Sequence, residues 1–265
     1  MFYHSYVVLK QLYPRFSHWI NLDVKTTEVF YAQQDMRMLT CGDFSGIYIT
    51  TVEPHWKSSL RHLSVVFKKH WRSDHDFHSR LLRTASKLIS IELIALQIER
   101  CLFPTPEEVY NHVFQDLELS KDNPPIRLQS LAFYSVPLGS LEQKYLQTID
   151  FGVLRNLEIN YCIGATAALM MALTEQFSRK QPALEHFIFR TGQAWALIDI
   201  AVFTAFLGSF AGLREIVIDV HCLSSAYKPM HVSTTELVDA ILLHSSTLEI
   251  LYLGPGSFRL HVGGA

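Results

Sequence analysis

The chain has 265 residues, of which 49% are hydrophobic, so it can bury a substantial core. Lysine and arginine (23 residues) nearly balance aspartate and glutamate (25 residues), which leaves a formal net charge of -2. Bulk charge therefore gives no reason to expect a nucleic acid or an anionic membrane as the partner.

The four cysteines are far apart in the sequence, and none belongs to a CxxC pair: Cys41, Cys101, Cys162 and Cys222. The chain has no Asn-x-Ser/Thr sequon, and its first residues do not resemble a secretory signal peptide. We therefore expect free thiols in a reducing compartment, the cytoplasm or the nucleus, rather than a disulfide framework.

Residues 1–51 are predicted to form an N-terminal cap, followed by one continuous solenoid domain over residues 52–265. Within the cap, the apolar stretch FSGIYI, which begins at Phe44, is a candidate for one further strand.

The next segment is rich in histidine, aspartate and basic residues. The stretch KKHWRSDHDFH, residues 68–78, contains side chains that can bind zinc, but its spacing matches no standard site. We interpret it as a polar loop and predict neither a metal nor another cofactor. Residues 55–83 contain seven lysines and arginines against two aspartates. These could contact phosphate or an acidic partner, but a charged outer face of an early repeat is the simpler interpretation.

One six-residue pattern recurs along the chain: leucine, a polar Arg, Gln or Glu, any residue, an apolar residue, any residue, and a second apolar residue. The copies are LRHLSV from Leu60, LQSLAF from Leu128, LRNLEI from Leu154, LEHFIF from Leu184, LREIVI from Leu213 and LEILYL from Leu248. A looser copy, LISIEL, begins at Leu88. The last two apolar positions alternate with other residues, so each copy predicts a short strand with one buried face.

The segments between these strands are predicted to be helical. In residues 105–114 a threonine cap precedes a proline at the first helical position and two glutamates. Residues 167–177 combine strong helix formers with apolar residues at helical spacing. Residues 233–243 begin with a serine and have a glutamate three positions later, as in a capping box. Weaker helix candidates are residues 77–85 and 141–149.

Residues 194–213, AWALIDIAVFTAFLGSFAGL, have about the length of a membrane span. Asp199 lies inside this segment, and a charged group at membrane depth is costly. Arg190 and Arg214 flank it on both sides and so indicate no topology. We therefore predict a buried helix over residues 194–210 and no membrane partner.

Strands and helices thus alternate, with leading leucines 26 (Leu128 to Leu154) to 40 (Leu88 to Leu128) residues apart. A period of this size is typical of a solenoid, in which each unit buries its apolar face against its neighbours. The predicted fold is an α/β solenoid of six to eight irregular repeats, with a curved parallel sheet and helices on the convex side.

The residues of two copies carry a family resemblance. Residues 154–162 match the leucine-rich-repeat consensus, with Cys162 at its final position, and residues 213–222 are close to it. Over residues 60–253 the chain resembles the repeat region of fungal F-box proteins, which have helix-containing leucine-rich repeats. The F-box itself is not evident, because residues 6–22 lack its leading Leu-Pro. The resemblance implies the substrate-recognition part of a ubiquitin-ligase adaptor, with a ubiquitin-ligase complex among its partners.

In the predicted solenoid, the residues between the buried positions line the concave face, where a protein partner is expected to bind. The partner-binding candidates are Arg61, His62, Ser130, Arg155, Asn156, Glu158, His186, Arg214, Glu215 and Tyr252. This face becomes more apolar toward the C-terminus. There Val217, Ile250 and Tyr252 are expected to be exposed, either as an interface or against a further repeat.

The sequence contains none of the motifs GxSxG, Walker A, GxGxxG or HExxH. We therefore predict no catalytic residue, and protein recognition rather than an enzyme activity. Two alternatives stay open: a degenerate or truncated repeat protein without a ligase link, and an enzyme of an unrecognised type.

Overall fold

In the computed structural model, the described residues are 38–41, 61–67, 82, 87–95, 105–114, 125–139, 142–162, 166–191, 200–220 and 234–254. Eight strands lie within them: β1 (Met38–Cys41), β2 (His62–Phe67), β3 (Ser90–Ala95), β4 (Ser130–Tyr134), β5 (Asn156–Asn160), β6 (His186–Thr191), β7 (Glu215–Val220) and β8 (Ile250–Leu253). They form one sheet whose spatial order follows the chain, and each pair of neighbours is parallel.

The apolar positions of the recurring pattern lie side by side across this sheet. Leu157 is in register with Leu131 on one side and Phe187 on the other, and none of the three is more than 1% exposed. The residues at the second apolar position are likewise in register and buried: Phe133, Ile159 and Phe189. The predicted strands, including the looser copy that became β3, are therefore confirmed.

Five α-helices lie in the described parts of the connections between strands: α1 (Pro106–Phe114), α2 (Glu142–Thr148), α3 (Thr166–Arg179), α4 (Ile200–Gly208) and α5 (Thr234–Leu242). Parallel strands need such crossovers, because a tight turn can join only antiparallel neighbours. In α3 the buried side chains include Leu169, Met170, Leu173 and Phe177 at helical spacing. They share one core with the apolar strand rows, so the helices cover one face of the sheet. The coarse prediction of an α/β fold with a parallel sheet and intervening helices is confirmed.

The first helix illustrates how local sequence sets an element boundary. The backbone N–H of Glu108 donates to Thr105 Oγ1 at 3.1 Å, and the N–H of Thr105 donates to Glu108 Oε2 at 2.7 Å. This reciprocal pair is a capping box, which satisfies two N–H groups at the start of the helix. Pro106 follows at the first helical position, where its missing N–H costs nothing.

The apolar segment at residues 194–213 contributes the nine-residue helix α4 to the core. Its Phe206 ring lies 5.0 Å from Phe187 of β6, and its Phe203 ring lies 5.3 Å from Phe189. Buried aromatic rings dominate core energetics, so α4 is held by the sheet beneath it. None of the helices in the described ranges has the length and apolar character needed to cross a membrane.

A buried histidine joins the last units of the sheet. His244 is fully buried, and its Nδ1 accepts from the backbone N–H of Leu213 at 3.2 Å. Its Nε2, 3.1 Å from the carbonyl oxygen of Leu207, must therefore carry the proton. Burial lowers the pKa of His244, which favours this neutral form.

Cys162, at the last consensus position of its repeat, is a free and buried thiol. It donates to the carbonyl oxygens of Phe133 and Asn160, each at 3.6 Å, and burial raises its pKa to about 12. The expectation of a free thiol is confirmed for Cys162. Cys101 and Cys222 lie outside the described residues, and of Cys41 only the strand backbone is described.

Several predictions for the N-terminal part lie outside the described residues. These are the strand at FSGIYI, the histidine-rich stretch at residues 68–78, and most of the weak helix at residues 77–85. Within the predicted cap the structure describes β1, Met38–Cys41, which pairs with β2. The strand β1 was not predicted, because its four residues carry no copy of the recurring pattern.

Candidate binding surface

The sheet face opposite the helices carries the side chains that alternate with the core positions, and we call it the open face. Its first row contains His62, Ser90, Ser130, Asn156, His186, Glu215 and Ile250, which are in register from β2 to β8. Its second row contains Ser64, Glu92, Ala132, Glu158, Ile188, Val217 and Tyr252. The structure thus brings seven predicted residues together, namely His62, Ser130, Asn156, Glu158, His186, Glu215 and Tyr252.

The three predicted arginines lie one residue before their strands and form the rim of the open face with two glutamates. Arg155 Nη1 lies 3.5 Å from Glu185 Oε1, and Arg214 Nε donates to Glu249 Oε1 at 3.0 Å. Two carboxylates raise the pKa of the Arg214 guanidinium. Glu249 acts through its hydrogen bond and its charge, and Glu185 acts through its charge. Charges of opposite sign therefore alternate along the rim in the order Arg155, Glu185, Arg214, Glu249. Such exposed pairs contribute only about 0–1 kcal/mol, so a partner can replace them at little cost.

The two predicted histidines both occupy the first row of the open face. His186 Nδ1 lies 3.0 Å from Glu215 Oε2, so two predicted site residues from neighbouring strands form one polar pair. His62 lies in β2, and burial, followed by the positive charge of Arg61, lowers its pKa. Both histidines can exchange hydrogen bonds with a ligand on the open face.

Glu158 is the centre of a hydrogen-bond network that extends over three strands. Its Oε2 accepts from the hydroxyl of Tyr134 at 2.8 Å and from Asn160 Nδ2 at 3.3 Å. Asn160 Oδ1 in turn accepts from Arg190 Nη1 at 3.0 Å. Glu158 was predicted from the sequence, whereas Tyr134, Asn160 and Arg190, which occupy a third row of the open face, were not. Extending the strand alternation one residue beyond the recurring pattern would have found them.

Glu92, also missed, lies in the second row between Ser64 and Ala132. Burial raises its pKa to about 7, the charge of Glu158 adds to this rise, and the hydroxyl of Ser64 opposes it. The copy LISIEL carried the signal, because Glu92 occupies the same position in it as Glu158 in LRNLEI.

The apolar end of the open face differs in part from the prediction. Ile250 and Tyr252 of β8 are about half exposed, as expected, and so are Leu251 and Leu253. Val217 was predicted to be exposed, but it is only 6% exposed. The second row places it between Ile188 and Tyr252, two large neighbours that shield it. Val217 is therefore a packing residue and not a contact for a partner.

The open face offers hydrogen-bonding and charged groups rather than a metal site. Among the described residues, no group of three or more His, Cys, Asp or Glu side chains could hold a metal ion. The rows combine carboxylates, histidines and hydroxyls with an apolar end at β8.

Comparisons with known proteins return no match: no family model, no curated protein and no solved structure is similar to the chain. A family assignment therefore depends on the recurring pattern and on the arrangement of the sheet.

Proposed function

We propose that the chain is a helix-containing leucine-rich-repeat protein that recognises another protein through its open face. The observation that carries this proposal is the contrast between the two faces of one parallel sheet. Helices bury one face, whereas polar side chains from six successive strands, β2 to β7, are in register on the other. Such extended faces are the binding surfaces of solenoid proteins.

The resemblance to fungal F-box proteins supports a narrower proposal, in which the recognised protein is a substrate of a ubiquitin ligase. The chain would then supply substrate recognition, and the ligase would supply the chemistry. No residue of the chain takes a catalytic role in this proposal.

The test is affinity capture from native lysate with two variants of matched charge. Ser130→Arg/Asn156→Arg places bulk and charge on the first row, where neither side chain has a hydrogen bond to lose among the described residues. Met171→Arg/Leu242→Arg adds the same charge on α3 and α5, where these side chains are 59% and 57% exposed. Leu157→Asp, which places a carboxylate in the core, is the unfolded control.

We expect wild type and the helix variant to retain the same protein, and the open-face variant to lose it while melting like wild type. Equal retention by both variants would rule out the open face as the binding site. Cullin-ligase components recovered with the protein would support the ligase link, and a partner recovered without them would support recognition alone.

A further inference from the structure

The turn between α5 and β8 holds two side chains that bond to the preceding helix and strand. Nδ1 of His244 accepts from the backbone N–H of Leu213 at 3.2 Å, and its Nε2 lies 3.1 Å from the carbonyl oxygen of Leu207. The hydroxyl of Thr247 donates to the carbonyl oxygen of Leu213 at 2.8 Å. These three hydrogen bonds tie residues 234–254, which we call the α5–β8 unit, to α4 and to the segment that leads into β7.

His244 is closed off from solvent and has no charged partner among the described residues. The side chain is 0% exposed, and its ring packs edge-on against Phe210 with the ring centroids 5.3 Å apart. The helix α4 contains no ionisable side chain. The ionisable groups of the other neighbouring elements lie at the rim (Arg214 and Glu249), on the open face (Glu215 and Asp219) or exposed on α5 (Glu236 and Asp239).

A second proton on the imidazole is incompatible with these contacts. Only a deprotonated Nδ1 can accept from the N–H of Leu213, and protonation makes it a donor that faces another donor. Burial of the resulting cation is also unfavourable, and it lowers the pKa of His244 below the ordinary value of 6.5. In an opened α5–β8 unit the imidazole is exposed to water and takes up its proton at the ordinary value. Opening therefore becomes more favourable as pH falls below 6.5, by about tenfold for each pH unit until the folded pKa is reached.

The position of the α5–β8 unit lets it open without the centre of the sheet. Among the described strands β8 pairs with β7 alone, and its side chains are about half exposed. The helix α5 adds Leu237, Ala240 and Ile241 to the core. Loss of the bond to Leu213 therefore acts on a unit whose attachment depends on one strand edge, one helix side and the turn.

We propose that His244 is a pH-sensitive switch whose protonation releases the α5–β8 unit from α4 and β7, while β2 to β6 stay paired. Release removes Ile250 and Tyr252 from the open face and uncovers the core side of β7, where Ile216 and Ile218 are buried. The surface that the molecule presents therefore changes below about pH 6.5. The switch is independent of the proposed function.

The test is hydrogen exchange measured by mass spectrometry between about pH 7.5 and about pH 5. Rates are expressed as protection relative to an unstructured peptide at the same pH. His244→Asn places an amide oxygen near the position of Nδ1 and cannot titrate. Thr247→Val removes the neighbouring bond to Leu213 and leaves the imidazole in place. His186→Gln removes the histidine that lies beside β7 on the open face.

We expect protection of the α5 and β8 amides in wild type to fall about tenfold for each pH unit below 6.5. The strands β5 and β6 should stay at least about tenfold better protected than β8 down to pH 5. Thr247→Val should lower protection of α5 and β8 at every pH and keep the same slope. His186→Gln should also keep the slope, and His244→Asn should abolish it.

Three results would overturn the inference. A wild-type protection of α5 and β8 that does not fall between pH 6.5 and pH 5 would show that His244 stays neutral or that its protonation is tolerated. A slope that persists in His244→Asn, or disappears in His186→Gln, would assign the titration to another group. Equal loss of protection in β5, β6 and β8, to the same final level, would show that acid unfolds the whole sheet and not the α5–β8 unit alone.

Discussion

At the scale of single residues, Gly139 shows how one backbone position fixes a contact. Its φ is +55°, in the left-handed region, and an added Cβ would overlap the ring of Pro106 at the start of α1. We expect Gly139→Ala to lower the free energy of unfolding by about 2–4 kcal/mol, from left-handed strain and overpacking together. Urea denaturation monitored by circular dichroism measures this change.

Gly208→Ala is the matched control for this substitution. Gly208 ends α4, and nothing lies within 4 Å of the place its Cβ would take. Alanine is the better helix former, so this variant should be as stable as wild type or more stable by up to about 1 kcal/mol. Equal losses for both variants would contradict the contact between Gly139 and Pro106.

Glu92 gives a prediction about pH. Its carboxyl has a pKa near 7 in the folded chain against an ordinary value of 4.5, so folding takes up a proton between these values. The contribution of Glu92 to the free energy of unfolding therefore falls as pH rises from 4.5 to 7, by at most about 3 kcal/mol. We expect Glu92→Gln to be more stable than wild type at pH 8 and equally stable near pH 4.5.

The measurement is chemical denaturation of both proteins across this pH range. A constant difference between Glu92→Gln and wild type over the whole range would mean that the Glu92 carboxyl has an ordinary pKa.

At the scale of the element, the same position of the recurring pattern differs in burial between strands. Leu157 of β5 is fully buried, whereas Leu251 of β8 is 47% exposed. Leu157→Ala should destabilise by about 2–5 kcal/mol because it leaves a cavity, and Leu251→Ala by about 1 kcal/mol or less. Thermal and urea unfolding of the two variants provide the comparison. Similar losses of stability at both sites would show that Leu251 of β8 is packed as closely as Leu157 of β5.

The burial of the apolar positions explains which elements could be predicted from the sequence. The leucine pattern located β2 to β8, and its apolar positions are core residues in β2 to β7 but about half exposed in β8. The helix at residues 105–114 was predicted in full, since its cap and proline mark the boundary. Of the helix predicted at residues 194–210, the structure describes Ile200–Gly208 as α4, and residues 194–199 lie outside the described part of the chain. The strand β1 was missed because its four residues carry no copy of the pattern.

At the scale of the whole molecule, the candidate surface was less predictable than the sheet. The pattern identified which residues share the open face, since strand alternation is a local property. It could not show that Arg155 pairs with Glu185, or that Arg214 pairs with Glu249, because these contacts join residues 30 and 35 positions apart through the register. The environment of Glu92 depends likewise on neighbours from other strands. Charge partners and pKa shifts therefore required the assembled sheet.

The sequential order of the strands predicts a gradient of local stability along the molecule. Each described strand pairs with its neighbours in the chain order, so stability is expected to depend on the interfaces between adjacent units. In β5 and β6 both edges are paired and the core side chains are buried, whereas β8 pairs with β7 alone among the described strands and is half exposed. Amides of β8 should therefore exchange with solvent at least about tenfold faster than those of β5 and β6.

Hydrogen exchange measured by mass spectrometry at low denaturant separates local opening of β8 from the larger unfolding that exposes β5. Exchange from β8 should proceed by local opening and change little with added urea, whereas exchange from β5 should accelerate because it requires a larger unfolding. The variant Leu157→Ala should speed exchange in β5 and its neighbours more than in β8, since the lost packing lies in the centre. Equal protection and equal urea dependence in β5 and β8 would show that the whole sheet opens as one cooperative unit. Stability would then not be a sum of interfaces between neighbouring units.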